Sequence, residues 1–114
     1  MDLDTLIIKI KIISNDSVIQ TIVDKLQNWK KDDTSLDYLE YYIHKYIGDG
    51  SIEKNDAHET VYELWLLFQE EVTKDLDGMT MNERLYKFSL VKRYDSCFTK
   101  NCKLKVYTKL NASP

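Results

Sequence analysis

Apolar side chains recur three and four residues apart along most of this chain, a spacing that a helix converts into one continuous apolar face. Val18, Ile19, Ile22, Val23, Leu26 and Trp29 form the clearest stripe, and Ser14-Asn15-Asp16 ahead of it offers N-cap chemistry. Leu36, Leu39, Ile43 and Ile47 form a second stripe, capped by Thr34 or Ser35 and closed at Gly48, where glycine can adopt the left-handed backbone of a helix end. Asp56 with Glu59 resembles a capping box opening a third helix that buries Val61, Leu64, Trp65, Phe68 and Val72 and exits at Gly78. Thr80 and Glu83 match that box more closely. A fourth helix is therefore expected from Met81 to about Cys97, with Leu85, Phe88, Val91 and Tyr94 inward, and a short last one from Lys103 to Leu110 with Leu104, Tyr107 and Leu110 inward.

The opening segment, Leu3 to Ile13, fits both periods: Ile8, Ile10 and Ile12 alternate as in a strand, whereas Leu6, Ile7, Ile10 and Ile13 fit a helix. Helix is favoured, because a lone strand would leave its backbone groups without partners. The expectation is an all-α chain, one compact bundle of five to six helices spanning residues 1–114. One Pro and three Gly leave little room for linkers.

Several kinds of chemistry lack their residues. Gly48, Gly50 and Gly78 are too scattered for a phosphate-binding loop. His44 and His58 stand 14 apart without a metal-ligand pattern, and Glu70-Glu71 with Asp75 and Asp77 read as a solvated helix end. No catalytic residue, cofactor or metal is expected. No apolar run is long enough to span a bilayer and Met1-Asp2-Leu3-Asp4 is acidic, so a cytoplasmic protein without membrane attachment is expected. The spacing of Cys97 and Cys102 suits neither a disulfide framework nor a zinc knuckle, and both are expected as free thiols. Lys100, Lys103, Lys105 and Lys109 could meet phosphates, but an acidic chain with two arginines is poorly suited to nucleic acid.

Charge is distributed unevenly. Residues 1–79 hold 17 acidic and 8 basic residues, a balance of −9, whereas residues 80–114 hold 2 and 8, a balance of +6. Residues 32–77 alone carry 13 acids against 3 bases. Either one face suits a cationic partner, or the acidic and basic segments pack together and neutralise. Tyrosine is abundant, with Tyr38, Tyr41, Tyr42 and Tyr46 close together beside Asp37 and Glu40. Exposed tyrosine among acids suits a protein-binding surface, since the ring gives contact area at low entropic cost. The candidate partner-binding residues are Asp37, Tyr38, Glu40, Tyr41, Glu59, Tyr62, Glu63 and Glu70.

Gly78-Met79-Thr80-Met81-Asn82-Glu83-Arg84-Leu85-Tyr86, followed by Phe88-Ser89-Leu90 and Arg93-Tyr94-Asp95, resembles a segment recurring in small bacterial proteins. In it Thr80 caps, Glu83 reaches back, and Arg84 is available to Asp95 or a helix end, while Leu85, Phe88 and Tyr94 enter the core. With its acidic front half, the chain is similar to immunity proteins of bacterial toxin systems, including contact-dependent growth inhibition. That resemblance covers roughly the last third of the chain. It implies a non-enzymatic monomer that binds one cognate toxin, a cationic nuclease domain in the simplest case, without touching nucleic acid itself. A regulatory or structural adaptor, homodimeric through an apolar helix face, is the alternative.

Overall fold

The structure is a computed structural model that describes residues 1–50 and 53–114. Its helices are α1 (Leu3–Lys11), α2 (Ser17–Trp29), α3 (Leu36–Ile43), α4 (Asp56–Glu71), α5 (Met81–Lys87), α6 (Val91–Asp95) and α7 (Lys100–Lys109). A π-helical turn, His44–Gly48, prolongs α3, and a 3₁₀ turn, Thr73–Gly78, follows α4. No strand occurs among the described residues, so the fold is all-α.

The first segment is a helix. Asp2 caps it by accepting from the Thr5 N–H at 2.8 Å, and Leu3, Leu6, Ile7 and Ile10 face inward, leaving Ile8 and Ile12 in solvent. α2 follows its predicted stripe, capped by Asp16, and its last residue, Trp29, is fully buried. Trp29 meets Phe88 edge-on at 5.9 Å, Phe88 meets Phe68 at 5.7 Å, and Phe68 stacks near Trp65 at 5.9 Å. This run of rings joins α2, α4 and the end of α5 into one core. Each ring removes roughly 150–250 Å² from water, which stabilises by about 4–6 kcal/mol as an upper figure.

The predicted fourth helix is two helices. Ser89 has φ 57°, the Ser89 N–H donates to the Tyr86 carbonyl at 3.2 Å, and the Leu90 N–H donates to the Leu85 carbonyl at 2.8 Å. That pattern is a Schellman closure, with Leu85 and Leu90 both buried beneath it. Serine here occupies a backbone conformation usually given to glycine. Its hydroxyl is used as well, accepting from the Asp4 N–H in the first turn of α1 at 3.0 Å.

Other boundaries shift for similarly local reasons. α4 is capped by Asn55 rather than Asp56: the His58 N–H donates to Asn55 Oδ1 at 2.9 Å, and the Asn55 N–H donates back to His58 Nδ1 at 3.4 Å. Gly48 does not adopt a left-handed φ; it is required because the Tyr62 ring lies where a side chain would be, with a Cβ there only 2.7 Å from ring atoms. α7 starts earlier than expected, at a Thr99 cap, and buries Val106, Lys109 and Leu110 while Leu104 and Tyr107 are only half-buried. The cysteines are not free thiols. Cys97 lies just past α6 and Cys102 in the first turn of α7, and this tight corner brings their Cα atoms to 5.5 Å, where they form a disulfide.

Hydrogen-bonding cations hold α7 in place. Arg84 is buried and donates to the carbonyls of Leu110 and Asn111 at 3.1 and 3.0 Å, so its partner is a helix end and not Asp95. Lys109 is fully buried, 3.9 Å from the Trp29 ring centroid, and donates to Asp32 Oδ1 at 3.1 Å and the Thr34 carbonyl at 2.8 Å. Burial outweighs these bonds and brings its ammonium down to about 8.

Candidate partner-binding face between α3 and α4

α3 and its π-helical continuation run antiparallel to α4. Gln69 Nε2 donates to Glu40 Oε2 at 3.3 Å, His44 Nδ1 lies 3.1 Å from the Tyr62 hydroxyl, and Gly48 rests on the same Tyr62 ring. The apolar sides of both elements enter the core through Leu39, Ile43, Ile47, Val61, Trp65 and Phe68. Their opposite edges leave a groove of about 500 Å³ lined by Glu40, Leu66, Gln69, Glu70, Thr73 and Lys74.

Glu40 is half-buried in this groove. Desolvation raises its carboxyl above the ordinary range, and the Asp37 charge one turn away raises it further, against the bond from Gln69. The acids of α4 follow helical spacing: Glu59, Glu63 and Glu70 fall on one stripe beside the groove, with the partly exposed Leu66 and Leu67 among them. Glu70 pairs with Lys74 at 2.9 Å, whereas Glu59 and Glu63 are exposed and make no ion pair among the described residues. On the α3 side Tyr41 is 62% exposed.

The fold thus gathers Glu40, Glu59, Glu63 and Glu70 on or beside one seam, while Tyr41 stands exposed on α3 with the Lys45 ammonium 5.9 Å from its ring centroid. The remaining candidates are engaged elsewhere. Tyr38 turns toward α2, where the Lys25 ammonium sits 4.6 Å from its ring and 4.4 Å from that of Tyr42. Asp37 accepts from Asn111 Nδ2 at 3.1 Å, and Tyr62 is occupied by His44 and Gly48. Leu66, Gln69 and Thr73 were not singled out from sequence. Their spacing of three and four is the signal that could have found them, but Leu64, Leu66 and Leu67 together mask which leucine faces out.

The acids that open the negative stretch are not part of this face. Asp32 binds Lys109, and Asp33 meets Arg93 at 2.7 Å and Lys105 at 3.7 Å. Here the acidic and basic segments do neutralise one another. Burial alone would raise the Asp32 carboxyl, but hydrogen bonds from Thr34 and Lys109 more than offset it and hold the group below its ordinary value.

His58 is a joint between helices. Its Nε2 lies 2.9 Å from Asp16 Oδ2, and its Nδ1 accepts from the Asn55 backbone, so the ring is an Nε2–H donor with both nitrogens committed to linking α2 with α4. The Asp16 carboxyl is held below the usual range by the Ile19 N–H it caps, with help from His58. Among the described residues no three His, Cys, Asp or Glu side chains converge as a metal site requires, and no helix is long and apolar enough to cross a membrane. No family model, curated protein or solved structure matches the chain, which leaves the chemistry of the α3–α4 face to carry the reading of function.

Proposed function

We propose that the chain is an immunity-type inhibitor that neutralises a cationic toxin domain, in the simplest case a basic nuclease, by docking it on the α3–α4 face. One observation carries the reading. Glu40, Glu59 and Glu63 have no cation partner among the described residues, and the two helices that carry them also expose Tyr41, Leu66 and Leu67. Uncompensated charge speeds encounter with a partner of opposite sign, and the apolar and aromatic side chains supply contacts that exclude water. The likeness of the Gly78–Tyr86 segment to small immunity proteins agrees with this. A cytoplasmic site of action, where a producing cell would need protection, is part of the same proposal. The Cys97–Cys102 bond would be open in that reducing compartment, so binding is to be measured with the thiols reduced.

The test is calorimetric titration against candidate toxin domains from reading frames neighbouring the chain's own, at salt from about 50 to 500 mM. Affinity is expected to fall with salt, and a Glu59→Lys, Glu63→Lys, Glu70→Lys variant is expected to lose at least about tenfold. Indifference to both changes would refute charge-led docking.

A homodimeric adaptor is the second reading, favoured by Ile8 on α1 and Ile12 at its C-cap, one turn apart and 60% and 79% exposed. Light scattering separates the two readings: a stable dimer abolished by Ile8→Lys supports the adaptor, and a monomer removes it.

A further inference from the structure

We propose that the groove between α3 and α4 receives an arginine side chain of the protein partner, its guanidinium seated between Glu40 and Gln69 with its stem along Leu66. The proposal rests on the partner-binding reading and adds the chemistry of the anchor. Glu40 is half-buried, yet the hydrogen bond it accepts comes from a neutral amide, Gln69 Nε2, and no cation reaches it among the described residues. A carboxylate so placed loses hydration without an opposite charge in return. Lys74 also lines the groove, but it is held by Glu70 at the exposed rim. Asp37 adds negative potential, since its own partner is the uncharged Asn111 amide.

One further acceptor is unspent. With Nε2 turned to Glu40, the Gln69 amide oxygen is left to accept. A carboxylate and an amide oxygen side by side match a planar fork of N–H donors better than the compact ammonium of lysine. Leu66, 43% exposed, offers the apolar wall along which an arginine stem lies while its head is bound. The groove volume of about 500 Å³ is of the size of small-ligand sites.

The experiment titrates isotope-labelled protein with the Nα-acetyl amides of arginine, lysine and citrulline, followed by nuclear magnetic resonance. Arginine is expected to give saturable shifts at the Gln69 and Thr73 amides and to move the Glu40 carboxyl titration to lower pH. Lysine should bind at least about threefold more weakly and citrulline, which lacks the charge, not at all. Glu40→Gln, a near-isosteric change, should abolish the response with the remaining spectrum intact. Shifts that do not saturate, citrulline or lysine equal to arginine, or a response surviving Glu40→Gln would each overturn the pocket. Because the probe is a free amino-acid derivative, its failure would leave the charged face to be judged separately by toxin titration.

Discussion

Replacing Lys109 with methionine should change how stability depends on alkaline pH more than it changes stability itself. Lys109 is 0% exposed and carries its ammonium against Trp29, with Asp32 and the Thr34 carbonyl as acceptors. Burial lowers its pKa from 10.5 to about 8. Below pH 8 both folded and unfolded chains hold the proton, so the folded state bears the full cost of burying the charge. Between 8 and 10.5 the unfolded chain binds more protons than the folded one, and stability therefore rises with pH. The gap between those two values corresponds to roughly 3 kcal/mol of order-of-magnitude gain across that window. Methionine keeps most of the apolar stem and removes the charge, and Asp32, 38% exposed and still bonded to Thr34, is left in a tolerable state. Lys109→Met at pH 7 should lie within about 1.5 kcal/mol of the parent, on either side, whereas Lys109→Ala should lose about 2–4 kcal/mol through the void it leaves. Urea denaturation followed by fluorescence of Trp29 and Trp65, at pH steps from 7 to 10.5, measures both. Tyrosines and other lysines titrate in parent and variant alike, so the difference between the curves isolates position 109. A difference that stays flat from pH 8 to 10.5 would show that the buried charge is not what the local geometry implies.

Three further outcomes follow from backbone and covalent geometry. Gly48→Ala places a methyl about 2.7 Å from the Tyr62 ring and is expected to cost about 1–3 kcal/mol in denaturant unfolding, with relief in a Gly48→Ala, Tyr62→Leu double variant. Ser89→Val, forcing a β-branched side chain to φ near 57°, should unfold at least about 2 kcal/mol more easily than Ser89→Gly, which keeps the turn but loses the hydroxyl on Asp4. Reducing Cys97–Cys102 opens a short loop, for which chain entropy gives about 2 kcal/mol; the melting temperature with and without reductant reads it directly.

Much of the helical frame was legible because it depends on local rules. The stripes of α2 and α4 and the caps at Asp16, Ser35 and Thr80 all use neighbours within a few residues. What escaped depends on partners that spacing does not reveal. The break after α5 puts serine where glycine would have announced it, and the α4 box uses a histidine in the place of the usual Glu or Gln. Lys109 reads as surface until the loop at Asp32, 77 residues earlier, is seen to enclose it. The disulfide likewise follows from the turn between α6 and α7, which brings the two Cα atoms to 5.5 Å. At the candidate face the acids of α4 could be placed on one stripe from sequence, but the joining of Glu40 to Gln69 required the packing of α3 on α4, and the withdrawal of Asp32 and Asp33 required the packing of α6 and α7.

Arg84 and Lys109 fasten α7 and Arg93 fastens α6, each reaching backbone carbonyls of another segment, and Arg93 and Lys109 touch the acids that open the negative stretch. Docking the last two helices therefore redraws the outer field of the molecule: it cancels the Asp32–Asp33 corner and leaves the α3–α4 seam as the sharper source of attraction. A chain whose last two helices have come loose would draw cations to a second place as well.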